Sequence, residues 1–245
     1  MAFKKDILMI HFIHGLIGEP AHLDAVIRRL DLPPHAINNP KLDYLGQDVN
    51  GLIETIAAAP RDGGPQIVVG HSMGCKLALE MPFSVDHFVM LAPPLDFTTG
   101  TVPLRRSLIG DWVSDLYQQK GNIENEEELL AGVIKMVEAF MSDRRMISKI
   151  RTFRAEAQEF LDSPVLRTRA ADISILLGAQ DDSAPAERFV PLLADIAPDA
   201  QVDVIEACGH AVPMEHPDIV TATIRKAMDR CGAYRTERMA LSSSS

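Results

Sequence analysis

Five short apolar runs, Ile7–Ile13, Gln66–Gly70, His87–Leu91, Ile173–Gly178 and Val202–Ile205, recur along the chain with helical patterns between them, and a weaker sixth candidate lies at His35–Asn38. Uninterrupted apolar runs of this length suit strands buried on both faces, because alternation with polar residues is expected only where one face meets water. Behind Pro20, a residue suited to a first helical turn, Leu23, Val26, Ile27 and Leu30 repeat at helical spacing. Val49, Leu52, Ile53 and Ile56 do the same, and further helices are expected at Met73–Met81, Pro185–Ile196 and Pro217–Arg230. Such alternation predicts an α/β fold, with a mostly parallel central sheet of about six strands and helices on both faces.

Residues 95–165 break this rhythm, since they are too many for an ordinary crossover. Leu129, Leu130, Val133, Ile134, Val137, Phe140 and Met141 form one apolar stripe there, and Met146, Ile147, Ile150 and Phe153 a second. Such an insert either adds core packing or caps the carboxyl ends of the strands, where open α/β sheets place their ligands. The expected organisation is a core in two parts, 1–94 and 166–232, with 95–165 as an inserted helical cap. Residues 233–245, ending in Ser242–Ser245, are expected as a disordered tail.

Composition narrows the partners. With 34 acidic against 24 basic residues the net charge is −10, which argues against nucleic acid, since phosphate backbones are bound by clustered Lys and Arg. Cys75, Cys208 and Cys231 are odd in number and widely spaced, fitting neither a disulfide framework nor a metal knuckle. Cys75 and Cys208 read as small buried hydrophobes, and a reducing compartment follows. Lys4 and Lys5 precede the first apolar run, but the run is short, carries His11 and lacks a small-residue cleavage site, so it reads as a strand and not as a secretion signal. No stretch approaches the ~18 apolar residues of a membrane span, and a cytoplasmic protein is expected.

The chemistry gathers at Gly70-His71-Ser72-Met73-Gly74, a G-x-S-x-G directly after one strand and opening the next helix. A serine on so tight a turn exposes its Oγ, and flanking glycines let strand and helix approach. The Met73 amide then points from a helix start toward an oxygen bound at Ser72. His11 and His14 form an H-x-x-H, but that spacing along a strand sends the two rings to opposite faces, so no metal is expected. Without a G-x-G-x-x-G or a phosphate loop, no cofactor is expected either.

On these residues the chain resembles the α/β-hydrolase superfamily, whose chain order of nucleophile, acid and histidine implies an acid after a later strand and a histidine beyond it. Gly178-Ala179-Gln180-Asp181-Asp182 follows Ile173–Gly178 and resembles the family's acid turn; Gly209-His210 follows Val202–Ile205 and resembles its histidine turn, with Pro213, Glu215 and Pro217 after it in the family's style. The resemblance implies a catalytic set of Ser72, His210 and Asp181, with Asp182, or Asp96 after an earlier strand, as alternative acids. His14-Gly15-Leu16-Ile17-Gly18 is similar to the family's oxyanion loop and implies the backbone N–H groups of Leu16 and Met73 as oxyanion donors. His14, Gly15 and His71 are expected to touch substrate. The chain departs from the family by starting directly at the first parallel strand, and by carrying Asn38-Asn39-Pro40-Lys41-Leu42-Asp43-Tyr44 where many relatives are glycine-rich.

The resemblance implies acyl transfer, with hydrolysis of a carboxylic ester through an acyl-enzyme on Ser72 as the leading reading, and the apolar, methionine-rich insert favours an uncharged or acyl substrate of small to medium size. A thioesterase, a lactonase or C–C hydrolase, and a non-catalytic ligand-binding member are the alternatives. Arg144, Arg145, Lys149, Arg151 and Arg154 cluster in an otherwise acidic chain. They form either a solvated helix face or a dock for an acidic acyl carrier protein.

Overall fold

The computed structural model describes residues 8–16, 18–44, 46–60, 63–94, 160–181 and 184–242. Six strands form one sheet: β1 (Met9–Ile13), β2 (Ile37–Asn38), β3 (Gln66–His71), β4 (His87–Leu91), β5 (Ile173–Gly178) and β6 (Gln201–Ile205). Their spatial order is β2, β1, β3, β4, β5, β6, and every neighbouring pair is parallel. The strands lie within a few residues of the apolar runs that predict them. β2 is the exception in size, because His35 and Ala36 of the expected His35–Asn38 strand belong to a 3-10 turn, Pro34–Ala36, led by a proline with no N–H for a sheet ladder.

Helices sort onto two faces. α1 (Asp24–Leu30) and α7 (Pro217–Ser242) pack on one, where Val26, Leu30, Val220, Ile224 and Ala227 meet Ile10, Phe12, Ile67, Val69, Val89, Leu91 and Leu176 of the sheet. α2 (Val49–Ala57), α3 (Gly74–Leu79) and α5 (Ala186–Ile196) pack on the other, where Leu52, Ile56, Leu77, Phe189 and Leu193 meet Ile13, Val68, Phe88, Met90, Ile175 and Leu177. Successive strand residues thus serve opposite cores, as a period of two requires, and this is why the central runs are apolar throughout. β6 departs from that expectation: at the sheet's edge, Asp203 and Val204 are exposed.

Two short helices, α4 (Pro164–Thr168) and α6 (Val212–Glu215), complete the α-helices of the described residues. Phe160, assigned by sequence to the cap, is buried in the core against Phe189, with ring centroids 6.0 Å apart. The rest of the expected cap up to residue 159, the basic cluster from Arg144 to Arg154, and the alternative acids Asp96 and Asp182 lie outside the described residues. α7 continues to Ser242, so residues 233–242, expected as an irregular tail, extend the last helix. No proline follows Pro217, and the single Gly232 opposes the helix by only about 1 kcal/mol. Among the described residues no helix is long and apolar enough to cross a membrane.

Candidate active site

The sheet order reverses between β1 and β3, and the crevice outside the carboxyl ends of strands at such a switch point is where open α/β sheets hold ligands. His14-Gly15-Leu16 leaves β1 there and Ser72 leaves β3. Ser72 sits between strand and helix with φ +53°, a left-handed conformation that a side chain adopts only under constraint. Its N–H donates to the Leu91 carbonyl at the end of β4 (2.9 Å), and its carbonyl accepts from Cys75 N–H (2.9 Å), so both sides of the turn are tied down. Gly74 makes the turn possible, because a Cβ there would lie 2.2 Å from the Ile13 carbonyl oxygen, a backbone atom that cannot yield.

Three residues from three strand ends then meet. His210 Nε2 lies 2.9 Å from Ser72 Oγ, and His210 Nδ1 lies 2.7 Å from Asp181 Oδ2. Asp181 is buried, and its other oxygen accepts from Ala184 N–H (3.1 Å). A carboxylate only accepts, so Nδ1 carries a proton and a neutral His210 offers Nε2 as a base toward Ser72. Burial alone would lower the pKa of this imidazole. The Asp181 charge, its hydrogen bond and the charge of Glu215 outweigh that and hold the pKa above its ordinary value.

The acid turn and the histidine loop are stitched together by backbone: Ala179 N–H donates to Ile205 (3.0 Å) and Gln180 N–H to Cys208 (2.8 Å). The His14-Gly15-Leu16 segment, expected to supply an oxyanion donor, abuts the same place, since a Cβ on Gly15 would come within 2.9 Å of Ser72 Cβ. Leu16 is half-buried in that loop, and Met73 immediately follows Ser72 at the start of α3.

Two residues expected to touch substrate turn inward instead. His14 is buried; its Nδ1–H donates to the Gly15 carbonyl (2.9 Å), and its Nε2 accepts from Leu42 N–H (3.1 Å). Tyr44 Oη donates to the His14 carbonyl, so the segment after β2 braces the His14-Gly15 turn from behind. His71 is buried too, and its Nε2–H donates to the His210 carbonyl (2.9 Å). Both rings would have to be pulled out of the interior to meet a ligand, because strand ends pointing into a packed sheet leave alternate side chains no route to the crevice.

Glu215, Leu42 and Tyr44 hold positions in this site that are not among the residues expected there. Glu215 alone left a signal: it is an acid within the otherwise apolar Ala211–Glu215 stretch that follows His210. Cys208, Glu215 and His216 place ligand atoms within 4.8 Å of one another. Both Glu215 oxygens already accept backbone N–H groups, and burial raises the Cys208 thiol pKa, so a cation there would face amide hydrogens and a thiol. His11 and His14 share no ligand position, since His11 bonds Gln66 and Asn38 across neighbouring strands.

A sequence profile described as the Alpha/beta hydrolase family matches residues 12–223. No curated protein sequence gives a significant match. Among solved structures, the chain is similar to a thermophilic esterase from Thermogutta terrifontis, at 18% identity over 91% of this chain and 90% of that one, with a TM-score of 0.54. It is similar to Est816, an N-acyl homoserine lactone degrading enzyme, at 18% identity over 89% and 92%, with a TM-score of 0.61. It is also similar to the meta-cleavage product hydrolase CumD from Pseudomonas fluorescens IP01, at 16% identity over 91% of each chain, with a TM-score of 0.63. At such identities the likeness is one of fold.

Proposed function

The chain belongs to the alpha/beta hydrolase family, and from that premise we propose that it is a serine hydrolase cleaving a carboxylic ester of small to medium size through an acyl-enzyme on Ser72. The observation that carries this reading is the continuous relay from Ser72 Oγ through His210 to Asp181, at 2.9 and 2.7 Å. Ser72 Oγ attacks the ester carbonyl while His210 Nε2 takes its proton. The carbonyl π electrons move to oxygen, and the resulting oxyanion is held by the backbone N–H groups of Met73 and Leu16, each worth about 2.7–4 kcal/mol in such a role. Asp181 stabilises the imidazolium and keeps the ring oriented. As the tetrahedral centre collapses, His210 returns the proton to the departing alkoxide. Water, deprotonated by His210, then attacks the acyl carbon, releasing the acid and restoring the Ser72 hydroxyl.

The reading is tested by treating the protein with a fluorophosphonate and measuring intact mass. Wild type should gain one adduct and Ser72→Ala none, and Ser72→Ala should lose ester turnover by on the order of 10⁶-fold. An unmodified wild type beside a labelled control hydrolase would refute it and favour a ligand-binding role. The same relay can attack thioesters and lactones, and the basic cluster Arg144, Arg145, Lys149, Arg151 and Arg154 favours a second reading, hydrolysis of an acyl group presented on an acidic carrier protein. A panel of p-nitrophenyl esters of graded length, with lactone, free thioester and carrier-bound thioester analogues, separates these. Carrier-bound turnover that is no more salt-sensitive than turnover of the free ester would dismiss the docking reading.

A further inference from the structure

The main chain around His210 is gripped by two side chains from different elements. Oε2 and Oε1 of Glu215, at the end of α6, accept the N–H groups of Gly209 (2.7 Å) and Ala211 (3.0 Å). His71, at the end of β3, donates Nε2–H to the carbonyl of His210 itself (2.9 Å). Both gripping residues are buried, so these bonds form away from competing water. The loop between β6 and α6 is short and irregular, and its amides have no strand ladder to satisfy them. A buried carboxylate that leaves its own oxygens so fully used is placed there for the loop and not for solvent.

We propose that Glu215 and His71 are positioning residues for His210, fixing its backbone so that the imidazole is held between Ser72 and Asp181. The geometry makes a two-point attachment. His71 and Ser72 are consecutive, and both reach His210, one through its carbonyl and the other through its ring. A shift of the loop would therefore have to break the His71 bond before it could open the Ser72 contact. His71 Nδ1 meanwhile has no partner in the interior, so the ring accepts an unsatisfied nitrogen while making the Nε2 contact. Only the kinetic consequence of this brace rests on the serine-hydrolase reading.

The test uses the full chain with Glu215→Gln, His71→Met and His71→Gln. Gln at 215 presents an amide NH₂ to one of the two backbone donors. Met at 71 removes the donor at similar length, and Gln at 71 restores one. The low-field proton resonance of His210 Nδ1–H, identified by its loss in His210→Gln, reports the contact with Asp181 without any turnover. Expected are a weakened or shifted resonance in Glu215→Gln and His71→Met, with kcat for a p-nitrophenyl ester down by on the order of 100-fold and KM within about two-fold. His71→Gln should recover most of both signals. Folded Glu215→Gln and His71→Met proteins with the wild-type resonance and kcat would overturn the proposal, as would a His71→Gln as impaired as His71→Met. Should Glu215→Gln fail to fold, the two His71 variants decide. A wild type that hydrolyses no ester, but whose resonance still responds to these substitutions, would remove the hydrolase reading and leave the brace standing.

Discussion

Ser72 holds φ +53° and His210 holds an imidazole pKa above its ordinary value, and each departure is maintained by named neighbours. In the proposed mechanism His210 must be neutral to accept the Ser72 proton. With its pKa raised, the acidic limb of kcat/KM should fall above the usual histidine value of about 6.5, with activity rising as pH increases through it. Asp181→Asn removes the charge that outweighs burial, so this limb should move to lower pH while kcat drops by on the order of 10⁴-fold. A pH profile of the variant that keeps the wild-type limb would dissociate Asp181 from His210. Ser72 stood out as the centre of a G-x-S-x-G after a strand, while His210 and Asp181, with Asp182 and Asp96 as alternative acids, were implied by the resemblance to α/β hydrolases. The inward turn of His14 and His71 was not legible, since which way a ring points at a strand end depends on what packs behind it, here Leu42, Tyr44 and the His210 carbonyl.

Strand ends and the turns after them carry the site, and their spacing is set by a few close backbone contacts. At the end of β5, a Cβ on Gly178 would lie 2.1 Å from the Gly209 oxygen and 2.5 Å from that of Cys208. Gly178→Ala must therefore push β5 and the histidine loop apart. It should lower stability by about 1–3 kcal/mol in urea unfolding and reduce ester turnover more than this loss of fold explains, because Asp181 and His210 separate. Unchanged turnover in a folded Gly178→Ala protein would mean that the loop can shift without disturbing the relay. At this scale the sequence was read well for β1, β3, β4 and β5, whose runs are apolar on both faces. The match is poorer for β2, which is Ile37–Asn38 where His35–Asn38 is expected, and for the end of α7. β6 is an edge, where exposure of Asp203 and Val204 costs little, and α7 runs on to Ser242, past the expected end at Arg230, through residues among which only Gly232 has a low helix propensity.

Over the whole molecule, buried histidines make the fold sensitive to acid. Burial is the largest cause in each case: it lowers the pKa of His14, brings His22 and His87 to about 4, and brings His71 to about 3. Between the unfolded value of about 6.5 and these folded values, the unfolded chain binds more protons. Their contribution to stability is thus complete above about pH 6.5 and is lost as pH falls, by up to about 1.4 kcal/mol per pH unit for each such histidine. His210, with a raised pKa, works in the opposite sense, adding stability below pH 6.5 that fades as pH rises through its folded value, but it is one residue against several. The urea midpoint should accordingly fall between pH 6.5 and 4, and a flat midpoint over that range would contradict neutral burial of these rings. The strand and helix segments and the α/β class were determined by the sequence itself, because periodicity is a local property of the chain, whereas Ser72, His210 and a choice of acids among Asp181, Asp182 and Asp96 came from resemblance to α/β hydrolases. Only the tertiary structure decided the sheet order and the hydrogen bond by which His71 meets a carbonyl 139 residues away. Contacts at such separation follow from how whole elements pack, and no local pattern records them.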